Sequence, residues 1–146
     1  MKNRTLFLIL FILLAALLVT ACGLQPASAE RNTVSNYASL VEALKAAGAT
    51  VEASDPVSQE FLSPAGQVLK VNGQDVQVFE YPDEAAAERE AKTISPDGSS
   101  TTTTMITWID APHFYRSGKL MVLYVGSDAG ITQLLASLLG TQFAGK

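Results

Sequence analysis

The sequence predicts an α+β domain: an antiparallel sheet with helices packed on one face. Three observations carry this. Asn72-Gly73 sits between two alternating segments, and Asn-Gly favours the tight turn that joins antiparallel strands. Leu-Met-Val-Leu-Tyr-Val at 120–125 is a continuous apolar run, the pattern of a central strand buried on both faces. Ile131, Leu134, Leu135, Leu138 and Leu139 recur at helical spacing and form one stripe.

The elements follow in the order helix, short strand, two strands, helix, two strands, helix. The first helix runs from about Ser35 to Ala47. Val34, Tyr37, Leu40, Val41 and Leu44 make its apolar face, Ser35 or Asn36 caps it, and Gly48 ends it. Thr50-Val51-Glu52 is a short strand. Gln67 to Val71 and Asp75 to Tyr81 form the hairpin. Asp83 caps a second helix, Glu84 to about Ile94, which is alanine-rich and therefore shallow in its packing. Pro96-Asp97-Gly98 is a turn, and Met105 to Ile109 reads as a strand that Pro112 interrupts. Phe114-Tyr115-Arg116 resumes extended structure, Ser117-Gly118 turns, and Lys119 to Val125 returns. Asp128 or Ser127 then caps the last helix, Ala129 to Leu139, and Gly140 ends it. Gly73 and Gly118 each open a strand that an aspartate-capped helix follows, Asp83 and Asp128 respectively. Two strand-strand-helix half-repeats and coincidence between two ordinary hairpins both fit that spacing.

The start of the chain carries a different signal. Met1-Lys2-Asn3-Arg4 is basic, Leu6 to Val19 is almost wholly apolar, and Val19-Thr20-Ala21-Cys22 contains the single cysteine. This is the layout of an export signal, and the last four residues resemble the lipobox of bacterial lipoproteins. In that class the cysteine thiol is acylated and the leader is cut just before it. Cleavage after Ala27-Ser28-Ala29 competes, but that site lies well past the apolar run. An uncleaved anchor competes too, but the run is shorter than the ~20 residues that cross a bilayer. One cysteine cannot form an internal disulfide, and acylation would remove an exported thiol. The expected organisation is a signal peptide at 1–21, a lipidated Cys22 and tether at 22–33, and one α+β domain at 34–146. The expected location is the bacterial cell envelope, with the domain outside the cytoplasm.

Without Lys2 and Arg4, eight basic residues remain against fourteen acidic ones, a net charge of −6. That balance argues against nucleic acid, because phosphate binding needs clustered Lys and Arg. The segments Val71 to Tyr81, Ser95 to Ser100 and Phe114 to Gly126 together resemble a group of small bacterial lipoproteins of uncharacterised function. The resemblance covers most of 35–146, implies export and a single domain, and transfers no functional residue.

Candidate chemistry is sparse. His113 is the only histidine, and Asp110 precedes it by three residues. A functional reading makes them an acid/base dyad of a small hydrolase. The plainer reading is a turn aspartate and a partly exposed histidine. One histidine and one lipidated cysteine do not make a zinc site, no Asp-rich calcium loop is present, and no cofactor fingerprint occurs. Phe114 and Tyr115 are adjacent in a strand and point opposite ways. The expected recognition patch is Trp108, Tyr115 and Arg116. The resulting expectation is a non-catalytic, lipid-anchored binding domain for an unknown protein or small molecule. A structural or accessory subunit in envelope assembly is the alternative.

Overall fold

The computed structural model describes residues 34–146. Cys22, the leader and the tether lie outside the described residues. The domain opens with α1, Tyr37–Ala46. Asn36 caps it by accepting from Ser39 N, and Ser39 Oγ returns the bond to the Asn36 N–H, so two orphan donors of the first turn are satisfied. Glu80 adds charge at the same end, accepting from Tyr37 N at 2.9 Å and pairing with Lys119 at 2.6 Å. The Lys119 ammonium and the Tyr37 N–H together hold the Glu80 carboxyl below the usual carboxylate range.

Strands β1 (Val51–Val57), β2 (Gly66–Val71) and β3 (Gln74–Glu80) follow. The β2–β3 turn places Asn72 at φ 50° and Gly73 at φ 84°, the two left-handed residues such a tight turn requires. Asn72 also accepts from Thr50 N at 2.9 Å, so the turn residue fixes where β1 begins. Next come α2 (Glu84–Ala91), β4 (Pro112–Ser117), β5 (Leu120–Val125), α3 (Ala129–Leu139) and a two-residue β6 (Ala144–Gly145). Asp83 caps α2 through Ala86 N at 2.7 Å. Asp128 caps α3 through Gly130 N and Ile131 N. The six strands form one sheet in the order β1-β2-β3-β5-β4-β6, and every neighbouring pair is antiparallel.

The class is α+β, the element order matches the expected one except for the added β6, and one placement differs. Helices cover both faces of the sheet. Leu40 and Leu44 of α1 and Ile131 and Leu135 of α3 pack on Val76, Val78, Val122 and Tyr124. Ala87 and Ala91 of α2 pack on Phe79, Phe114, Met121 and Leu123, the residues that alternate with the first set. The cause lies in β5: Leu120 to Tyr124 are all at most 1 % exposed, and a strand apolar on both sides demands two covering layers.

That placement also removes the half-repeat reading. The hairpins β2–β3 and β4–β5 meet antiparallel at β3 and β5, so only a two-fold axis perpendicular to the sheet could exchange them. Such an axis keeps each following helix on one face. With α2 and α3 on opposite faces, the two strand-strand-helix units have opposite hand and that axis does not relate them. Two further differences concern ends. Helix α2 stops at Ala91, with Lys92 as its C-cap, short of Ile94. Residues 105–109 form no strand; only a single bridge joins Ser100 and Met105.

The β4–β5 turn is pinned to the start of the domain. Gly118 adopts φ 54°, and a Cβ there would lie 2.6 Å from Ser35 Cα. Lys119 N donates to Ser35 O, and Ser117 Oγ donates to Val34 O. Leu123 and Leu135 are each fully buried, in opposite layers. Truncating either to alanine should cost about 2–5 kcal/mol, measured by denaturant unfolding. A loss under about 1 kcal/mol at one position would show that its layer is loosely packed.

Candidate functional site

The connection from α2 to β4, Lys92 to Ala111, spans twenty residues and is the longest in the domain, and Ser95 to Ala111 forms its loop. Connections of this length without regular structure are commonly functional. Its base is tightly organised. Asp97 accepts from Ser95 Oγ at 2.7 Å, from Ser99 N at 3.1 Å and from Ser99 Oγ. Ser95 N donates to Ser100 O, and Ile106 N donates to Ser99 O. Thr101 N donates to Thr104 O and closes a four-threonine turn. The bonds from Ser95 and Ser99 hold the Asp97 carboxyl at about 2, below its ordinary 3.8.

Trp108 fastens the loop to the sheet. Its Nε1–H donates to Gly98 O at 2.7 Å. Its ring meets Phe61 and Phe114 edge-on, each at 5.8 Å between centroids. The residues either side of this anchor face outward. Met105 is 82 % exposed and Ile109 is 99 % exposed. From Gly98 to Ile109 the chain carries no charged residue. A cleft of about 540 Å³ runs beside the loop, bordered by Asp97, Ile106, Trp108, Ile109, Pro112 and Lys146.

The three residues expected to form one patch do not meet. Tyr115 is 2 % exposed and lies under α3, its hydroxyl donating to Thr132 O at 3.3 Å. Arg116 points to the α2 side and stands 3.6 Å from Glu84. Trp108 belongs to the α2-side layer but to the loop's own anchorage. Because both faces of β4 are covered, neither Phe114 nor Tyr115 is exposed. Of the expected patch, only Trp108 contributes to the cleft, and it does so as a support.

Asp110 and His113 do not form a dyad. His113 is buried, with Nδ1 2.7 Å from Gln142 Oε1 and Nε2 3.0 Å from Gly126 O. Its ring stacks on Tyr124 at 5.9 Å. Both nitrogens therefore serve to staple β4 to its neighbours. Asp110 instead accepts from Ala111 N and from Ser127 Oγ. Among the described residues, no group of three or more His, Cys, Asp or Glu converges.

Sequence reasoning missed Met105 and Ile109 because an apolar Met-Ile-Thr-Trp-Ile run reads as a buried strand. The usable signal was the uncharged stretch around it, bounded by Asp97 and Asp110. No family model matches the chain, and no curated protein and no solved structure matches it either.

The Asp97 network predicts an acid-sensitive loop. The folded carboxyl titrates below its unfolded value, so its contribution is present above about pH 4 and is lost as pH falls through about 2. Trp108 is the only tryptophan and reports on the loop directly. Its emission should shift to the red over that interval while far-UV circular dichroism holds. Asp97→Asn should show the shifted emission at neutral pH. A constant emission down to global unfolding would mean that the aromatic contacts alone hold the loop.

Proposed function

We propose that this chain is a lipid-anchored extracytoplasmic module that binds a protein partner without catalysis, using the tip of the Ser95–Ala111 loop. The observation that carries the reading is the pairing of a rigid base with an apolar tip. The aspartate network and the Trp108 anchor order the loop, so little conformational entropy remains to be lost on binding. Ile109 and Met105 are left in water by that same ordering. A monomeric domain gains nothing from holding an isoleucine almost fully exposed on a fixed support, whereas a partner with an apolar recess does.

The chemistry of the tip defines the partner surface. The loop offers Ile and Met side chains and threonine hydroxyls, with no charge from Gly98 to Ile109. A complementary surface is an uncharged recess lined by apolar groups and rimmed by hydrogen-bonding groups. A charged groove would have to desolvate without a counter-charge.

The anchoring half of the proposal rests on the leader and on Cys22. Cys22→Ser should move the protein from the membrane fraction to the soluble one, since stable attachment takes acyl chains. Retention of the variant in the membrane fraction would exclude lipid anchoring at that residue. The binding half is tested by capture from native membranes with the full lipidated chain. Met105→Asp with Ile109→Asp should reduce capture of a stoichiometric partner at least about tenfold and leave the melting temperature unchanged. Equal capture by the double variant would remove the loop tip as the binding surface.

A further inference from the structure

We infer that a second pocket, between α2 and the β1–β2 connection, is a binding site for a small zwitterion of the amino-acid or short-peptide class. It is separate from the loop and does not depend on the proposal above.

The pocket holds about 500 Å³ and is bordered by Pro64, Tyr81, Pro82, Ala86, Arg89 and Glu90. Its size falls within the range of small-molecule sites. Three features give it chemical definition. The first is a pair of opposite charges. Arg89 and Glu90 both line the pocket, yet no ion pair within 4.0 Å joins them, and Arg89 forms none with any described residue. The other α2 charges are engaged elsewhere: Glu84 faces Arg116, and Glu88 pairs with Lys92 at 2.8 Å. A separated cation and carboxylate in one recess match a ligand that carries an ammonium and a carboxylate on the same small frame.

The second feature is the fixed position of Glu90. Its carboxylate accepts from Ser63 N at 3.0 Å and from Ser63 Oγ at 2.8 Å, which ties α2 to the opposite wall. Both bonds gather on Oε1, and Oε2 takes only a longer share of the Ser63 N–H, at 3.2 Å. Oε2 therefore keeps acceptor capacity for an incoming ammonium. The third feature is Tyr81, which is 3 % exposed. Its hydroxyl lies 4.0 Å from Met121 Sδ, a weak acceptor, and beside the Glu90 carboxylate. The phenol therefore backs the carboxylate from the buried side of the recess. Burial, and then the neighbouring Glu90 carboxylate, push its pKa well up, which keeps the proton in place.

These assign the roles. Arg89 takes the ligand carboxylate through its planar fork, Glu90 takes the ammonium, and the Tyr81 hydroxyl supports Glu90. Pro64, Pro82 and Ala86 form the apolar wall for a side chain of leucine size.

The experiment is calorimetric titration of the full chain in detergent with L-leucine, with the dipeptide leucyl-alanine and with N-acetylleucinamide, which lacks both charges. Saturable binding of leucine or the dipeptide is expected, with N-acetylleucinamide at least about tenfold weaker. Arg89→Gln should weaken the zwitterion about tenfold, and Tyr81→Phe about threefold, with melting temperatures unchanged. The Met105→Asp, Ile109→Asp variant should bind as the parent does, which separates this site from the loop. Three results would overturn the assignment: no saturable binding up to about 10 mM, equal binding of the uncharged analogue, or indifference to Arg89→Gln. Tighter binding of N-acetylglucosamine than of either zwitterion would also overturn it and reassign the pocket to a neutral sugar.

Discussion

Burial of β5 on both faces is the constraint on which the other layers depend. Five consecutive residues, Leu120 to Tyr124, are removed from water, so the strand must sit between two neighbours and beneath two covers. Its neighbours are β3 and β4. One cover is conventional: α1 and α3 lay leucines across Val122 and Tyr124. The other is short of material. Helix α2 spans two turns and contributes chiefly Ala87 and Ala91. Alanine fills little volume, and close packing requires the remainder to come from elsewhere. Phe61, Trp108 and Phe143 supply it, each from a connecting segment. The long loop is therefore ordered because the sheet needs a tryptophan from it. Its base is part of the core, and the tip is left over.

This explains which parts of the structure were legible in the sequence. Helix α3 was readable to the residue, because Asp128, the leucine stripe and Gly140 all act locally. The β2–β3 turn was readable because Asn72 and Gly73 are the residues that tolerate positive φ. The sidedness of α2 was not. An alanine-rich helix has little apolar contrast between its faces, so nothing local says which side of a sheet it joins. The decisive information sat in β5, as burial on both faces, and the single-sided arrangement conflicts with it.

The candidate site was legible in part for a related reason. Trp108 stood out as an aromatic, and its anchoring role depends on Phe61 and Phe114, which are distant in sequence. Tyr115 and Arg116 looked like its companions only because they are close in the chain. The period of a strand sends adjacent residues to opposite faces, and here both faces are covered. For 105–109, apolar content pointed to a strand, whereas the hydrogen bonds of Asp97 and the Thr101–Thr104 turn hold the backbone in another form. Local polar contacts outweighed apolar pattern there because the loop has no neighbouring strand with which to pair.

The two ends of the sheet differ in a way that bears on the proposed binding role. The described chain enters at Val34, beside the β4–β5 turn, where Ser117 and Lys119 bind the backbone of Val34 and Ser35. The candidate loop ends at Ala111, beside Gly126, at the opposite ends of β4 and β5. Six residues of strand separate the two, a distance of roughly 20 Å at ~3.3 Å per residue. On the proposed reading, the chain from Cys22 arrives at the first of these ends. The loop tip stands at the far end of these strands, so a partner seated on it would leave Val34 and Ser35 uncovered.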